Sequence, residues 1–132
     1  MIAVQFSYPL SKEEEKFFSP ENYVRHMRLS KALLGDCIKK AFVYKGIPGR
    51  GYNAPGQEER PECVATGIVY FDSYEDYEER FLKNLKVLRK DVPAFSEIRA
   101  YANVYEVYEV SEDPLTETEQ ALLDSYIAAA EE

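Results

Sequence analysis

The chain has 132 residues, enough for one domain that buries roughly two thirds of its unfolded surface and too few for a second. Its 16 Lys and Arg stand against 24 Asp and Glu, and the net charge of −8 opposes attraction to phosphate backbones or anionic membranes, so neither nucleic acid nor membrane is an expected partner. No stretch approaches the ~20 apolar residues of a membrane span, Met1-Ile2-Ala3-Val4-Gln5 lacks a basic region followed by an apolar one, and Cys37 and Cys63 have neither zinc spacing nor a disulfide framework, so a soluble, cytoplasmic protein with reduced, strand-borne thiols and no metal is expected.

Ile2, Val4, Phe6 and Tyr8 alternate with Ala3, Gln5 and Ser7, the period of a first strand with one apolar face. A charged loop, Ser11 to Lys16, leads to Ser19-Pro20-Glu21, where an N-cap hydroxyl, a first-turn proline and an acid at the positive helix end agree. The helix they open is expected to run to about Leu34 and to stop at Gly35. At ~100° per residue, Tyr23, Met27, Ser30, Leu33 and Leu34 gather around His26, while Arg25, Arg28 and Lys31 point elsewhere. A second strand spans about Cys37 to Lys45, with Ile38, Phe42 and Tyr44 expected on one side.

The loop from Gly46 to Gln57 carries Gly46, Gly49 and Gly51, but no Walker lysine-serine pair follows and no helix begins at its end. It reads as a connection rather than a phosphate cradle, with Arg50 as a candidate lid residue. Cys63 to Phe71 is an almost unbroken run of strand formers that needs cover on both faces. Asp72 and Ser73 open a second helix, Ser73 and Asp76 having capping-box spacing, with a stripe of Tyr74, Tyr77, Phe81, Leu85 and Leu88 for packing on a sheet. After Asp91-Val92-Pro93-Ala94-Phe95, alternation returns from Arg99 to Val110, where Tyr101, Tyr105 and Val107 oppose Ala102, Val104 and Tyr108. Thr116 and Glu119 form another capping-box pair before a helix over about 116–131, with Leu122, Leu123, Tyr126 and Ile127 as its apolar side.

The order is β, α, β, β, α, β plus an appended helix. It predicts one α+β domain over 1–132 with a core of about 2–110: a ferredoxin-like sandwich whose four-stranded antiparallel sheet carries both crossover helices on one face. The third and fourth strands are apolar on the other face as well, and a second copy of the chain is the economical cover, so a homodimer through the sheet face is expected.

His26 is the only histidine and the only side chain placed to exchange protons near neutral pH from an apolar helix face. Two readings stay open: a packed histidine tied to a carbonyl or to Ser30, or an acid/base group in a pocket. Tyr8, Tyr23, Tyr44 and Tyr70, four of eleven tyrosines, are candidate ligand contacts, since a phenol offers an apolar face and one hydrogen bond; tyrosine is also simply a good strand residue. Neither cysteine has a basic neighbour that would make it a nucleophile.

Three segments resemble the EthD family of the dimeric α/β-barrel superfamily: Tyr23-Val24-Arg25-His26-Met27, Val64-Ala65-Thr66-Gly67-Ile68-Val69-Tyr70-Phe71-Asp72-Ser73, and Asp91-Val92-Pro93-Ala94-Phe95. They lie in the same order as in the family, over roughly residues 2 to 110; the last helix is less typical. The resemblance implies two ferredoxin-like subunits packing sheet faces into a barrel, each with a pocket between its sheet and its helices. It places His26 where the family commonly has a polar pocket group. EthD-like proteins are linked to bacterial degradation of small organic compounds, and wider relatives include cofactor-free monooxygenases, isomerases, cyclases and haem proteins. Haem would rest on His26 alone, and relatives with an indole-bearing pocket are not matched because the chain has no tryptophan. No cofactor is expected. One function is a cofactor-independent monooxygenase-, isomerase- or cyclase-like enzyme acting on an aromatic, quinone-like or lactone molecule. The other is a noncatalytic ligand-binding or accessory homodimer with the same pocket.

Overall fold

Period-two alternation and pairing partners put β1 (Ile2–Pro9) between two other strands, and the computed structural model, which describes residues 1–9, 16–51, 55–56 and 62–131, builds the sheet around it. β2 (Ile38–Lys45), β3 (Cys63–Phe71) and β4 (Tyr101–Glu106) complete an antiparallel sheet of order β2-β3-β1-β4, the strand order of a ferredoxin-like fold. The charged loop expected over Ser11 to Lys16 lies outside the described residues except for Lys16, and so do positions 52–54 and 57 of the glycine-containing loop.

Helix α1 (Pro20–Leu34) begins where its sequence says it should: Ser19 Oγ accepts the Asn22 N–H at 3.1 Å, and Pro20 takes the first helical position. It ends at Gly35, whose φ of 65° is the left-handed region that favours glycine. The guanidinium of Arg80 donates to the Leu34 carbonyl at 2.9 Å, satisfying one of the end's orphan acceptors. Tyr23, Met27, Ser30 and Leu34 are buried, whereas Leu33, expected on the same side, is exposed.

The second crossover, which we label α2, is the helical segment 74–88. Ser73 caps it through the Asp76 N–H at 3.2 Å, but it is not a uniform helix: a π turn over Tyr77–Phe81 and a 3₁₀ turn over Leu82–Asn84 interrupt it before Leu85–Leu88. Tyr77 and Phe81 stay on the sheet side, stacked at 5.4 Å, and Leu88 is buried, while Tyr74 at the first turn is exposed. A 3₁₀ stretch, Arg89–Ala94, follows and carries the chain back over α1. Between helices and sheet lies a core that includes Val4, Tyr8, Tyr23, Leu34, Val69, Phe71 and Phe95.

Three further expectations change. Ile38 pairs with Phe71 but Lys40 pairs with Tyr70, so β2 holds one extra residue, Lys39, which leaves the ladder and pairs with Asp72 at 3.1 Å. The bulge resets the alternation: Ile38, Ala41 and Val43 face the helices, and Phe42 and Tyr44 face away, not on the side of Ile38. β4 stops at Glu106, opposite Ile2, rather than at Val110, and Val107 adds one bond to the Met1 carbonyl at 3.1 Å. Cys37 sits in the 3₁₀ turn Gly35–Cys37 rather than on a strand, and both cysteines are free thiols.

The last helix, α3 (Glu117–Ala130), has the full reciprocal capping box between Thr116 and Glu119. All of its residues are exposed, Leu122, Leu123, Tyr126 and Ile127 included.

Candidate functional site

Helix α1, the 89–94 stretch and the sheet enclose a cavity of about 740 Å³. Its walls are apolar, with Phe6, Tyr8, Met27, Ile38, Val69, Phe81, Leu88 and Phe95 among them, and His26 is one of the few polar groups that reach it. The exposed members of the lining, Arg89, Pro93, Glu97, Arg99 and Ala100, mark its mouth. This volume falls within the range of about 300–1,000 Å³ in which small-molecule sites lie.

Two backbone bonds and one side-chain bond join two segments far apart in sequence beside the cavity. Ser19 N–H donates to the Phe95 carbonyl at 2.7 Å, Asn22 Nδ2 to the Ala94 carbonyl at 2.8 Å, and Glu97 N–H to the Phe17 carbonyl at 2.9 Å. These bonds stitch the start of α1 to the end of the 89–94 stretch, so Phe95 is fully buried, stacked on Tyr23 at 4.8 Å and tilted against His26 at 4.7 Å.

His26 Nδ1 lies 3.0 Å from Asp91 Oδ2, and both side chains are largely buried, 12% and 23% exposed. Beside a carboxylate, Nδ1 carries the proton, which leaves Nε2 as the nitrogen open to a molecule in the cavity. Arg25 approaches the other oxygen of Asp91 at 3.8 Å, a long and more exposed contact that contributes little. The two serines inside are already engaged: Ser30 Oγ donates to the His26 carbonyl at 3.0 Å, and Ser96 Oγ donates to the Ile98 carbonyl at 2.7 Å and accepts its N–H at 2.9 Å. One imidazole backed by one carboxylate is an arrangement able to take up and return a single proton.

Tyr8 and Tyr23 line the same cavity, with ring centroids 5.1 Å apart. Burial, the larger cause, pushes both phenols above the ordinary tyrosine range, Tyr23 far above it, and each also feels the other. The two hydroxyls do not meet in hydrogen-bonding geometry, so the Tyr23 hydroxyl is buried without a partner. It rests over Gly67 in β3, where a methyl group would collide with it and with the Met27 Cε. Tyr23→Phe therefore removes an uncompensated polar group and should raise stability at neutral pH by about 1 kcal/mol. The linkage sign follows from the raised phenol: its stabilisation is complete below the unfolded tyrosine pKa near ~10 and is lost as pH climbs beyond it, because the unfolded chain releases the proton first. Urea unfolding from pH 9 to 12 should accordingly show a falling limb that Tyr23→Phe makes shallower by about 1.4 kcal/mol per pH unit. An unchanged limb would assign the loss to other groups.

The other expected ligand residues lie elsewhere. The bulge at Lys39 turns Tyr44 to the outer sheet face, and alternation in β3 places Tyr70 there too, because Ala65, Gly67, Val69 and Phe71 take the helix side. Neither reaches the cavity with His26. Arg50 sits exposed in the loop after β2, its N–H bonded to the Ile47 carbonyl, and does not line the cavity; next to it Gly49 N–H donates to the Glu62 carboxylate at 3.0 Å, the wrong sign of neighbour for a phosphate.

Sequence reasoning missed Asp91 as the partner of His26, 65 positions away. The signal lay in the three EthD-like segments taken together: the first supplies Tyr23 and His26, the second Gly67 and Val69, the third Asp91 and Phe95, and all three meet at this cavity.

No protein-family model and no curated protein matches the chain. Among solved structures it is similar to an EthD-like protein from Ralstonia eutropha JMP134, with 26% identity and a TM-score of 0.69 over 86% of this chain and 96% of that one. A mutant of SnoaB, a cofactor-independent oxygenase from Streptomyces nogalater, matches at 9% identity and TM-score 0.43, over 85% of this chain and 95% of its own. A dimeric ferredoxin-like protein from an uncultured marine organism matches at 12% identity and TM-score 0.43, over 85% and 98%. The chain is EthD-like in fold, as its three sequence segments implied.

Proposed function

We propose that this EthD-like chain binds a small apolar or aromatic molecule between sheet and helices, and that His26 exchanges a proton with it. The observation that carries the reading is the 3.0 Å bond from His26 Nδ1 to Asp91 on the wall of a 740 Å³ apolar cavity. Nε2 takes a proton from a ring hydroxyl or from a carbon next to a carbonyl; the Asp91 carboxylate orients the imidazole and stabilises the imidazolium that forms. Asp91 is thus a positioning residue. Oxygenation, isomerisation and cyclisation of such molecules can each begin with that proton removal, and His26 supplies it without a cofactor. Tyr8, Tyr23 and Phe95 shape the ring site. The reading includes a homodimer through the outer sheet face, in the cytoplasm.

A second reading has its own support. The His26–Asp91 bond also ties α1 to the 89–94 stretch, which is what a noncatalytic carrier would need to keep its cavity open.

Because His26 is the only histidine, its imidazole nitrogens are read in a ¹⁵N spectrum without assignment. The expected neutral form is Nδ1–H with bare Nε2, converting towards Nε2–H in Asp91→Ala, and titration with neutral 2-naphthalenemethanol should perturb the Nε2 resonance. An Nε2–H form in the native protein, or an imidazole blind to the ligand, would overturn the proposal.

A further inference from the structure

The mouth of the cavity is charged in a direction the whole molecule is not. Arg89 and Arg99 line it, together with one carboxylate, Glu97, while Asp91 lies behind His26 and is not part of the lining. Both carboxylates are already engaged: Asp91 with His26 at 3.0 Å and Arg25 at 3.8 Å, and Glu97 with the Phe17 N–H at 3.4 Å. Neither Arg89 nor Arg99 has a carboxylate within 4.0 Å among the described residues. In a chain of net charge −8, where acids outnumber bases, two guanidiniums left over at one opening are a local exception to the surrounding field.

An arginine fork matches a carboxylate in shape and charge, and it binds one more strongly where apolar walls lower the local dielectric. We infer that the molecule taken into this cavity is an amphiphilic anion, an aromatic or alicyclic ring bearing a carboxylate or an equivalent oxyanion, with the ring against Tyr8, Phe95 and His26 and the anionic group held by Arg89 and Arg99. This assignment rests on the proposed cavity-binding function and narrows it from apolar molecules in general to ring carboxylates. Glu97 keeps its charge at the mouth, where it accepts from the Phe17 N–H rather than from either arginine, and repels an anion that enters in the wrong orientation.

The test compares 2-naphthoate with 2-naphthalenemethanol, equal in ring and different in charge, by isothermal titration at low and at physiological salt. The native protein is expected to prefer the carboxylate by about tenfold or more, the usual value of a charge-assisted hydrogen bond, and the preference is expected to shrink as salt rises. In Arg89→Gln/Arg99→Gln, whose sites are on the surface and whose folding is checked by thermal melting, the ratio of the two dissociation constants should fall to within about twofold. A native protein that binds both equally, or a double variant that keeps the full preference, would overturn the anion anchor while leaving the cavity reading intact. Failure of both ligands to bind would instead overturn the cavity reading, and this inference with it.

Discussion

His26→Gln is expected to lower turnover of a cavity substrate by about 10²–10⁴-fold, the usual contribution of a positioned general acid or base, while changing its dissociation constant by less than about threefold. Glutamine keeps a polar tip and much of the side chain's volume beside Phe95, but it has no nitrogen that takes up a proton near neutrality. Asp91→Asn should show a smaller but substantial loss with the ring still in place, because the neutral amide no longer stabilises an imidazolium. The split between rate and affinity decides between the two readings of the protein. If binding and thermal stability fall together and no turnover is lost beyond that, His26 holds the cavity together and the protein is a carrier. The measurement is steady-state kinetics on any ring hydroxyl or enolisable compound found to bind, beside a melting curve for each variant.

The second large effect concerns the outer face of the sheet. Phe42, Tyr44, Tyr101 and Tyr105 are 45%, 50%, 51% and 47% exposed there, and Ile68 and Tyr70 occupy its centre on β3. Phe42 meets Tyr70 edge-on at 6.3 Å and lies beside Tyr44 at 6.2 Å, so these three rings are continuous, while Tyr101 and Tyr105 stand on β4, across β1. A contiguous apolar face of this kind is characteristic of an association surface, and a face that pairs with itself gives a closed twofold dimer. Tyr70→Lys should convert the proposed dimer to a monomer, raising its dissociation constant by about 10³-fold or more, because it strands an ammonium in the middle of an apolar contact. The new ammonium stands opposite Lys40, a like-charge pair that costs the sheet a few tenths of a kcal/mol to about 1 kcal/mol, so a melting curve accompanies the variant to show that the monomer is folded. Sedimentation equilibrium across a micromolar range gives the answer, and a variant as dimeric as the native chain would assign the patch to some other role.

These two experiments fall on opposite faces of one sheet, and the division was only partly legible beforehand. The helix caps at Ser19, Ser73 and Thr116, the stop at Gly35 and the order of strands follow from short-range chemistry, in which a side chain satisfies a backbone group a few residues away. The alternation in β3 was equally local, yet an almost uniformly apolar run does not say which side the helices take. In β2 the local pattern misled, because one inserted residue, Lys39, inverts every side chain after it and carries Tyr44 away from the cavity.

By itself, the amino-acid sequence determined the ferredoxin-like arrangement, the helix that carries His26 and the presence of more apolar strand surface than two helices can cover. Period and capping are properties of neighbouring residues, and they survive without knowledge of the fold. Only the tertiary structure decided that His26 meets Asp91, that Tyr8 and Tyr23 share its cavity while Tyr44 and Tyr70 do not, and that two arginines with no carboxylate partner among the described residues stand at the opening. The first depends on how segments 65 positions apart are brought to 3.0 Å, and the loss of Tyr44 from the cavity depends on a single bulge; neither distance nor register is written in the spacing of the residues involved.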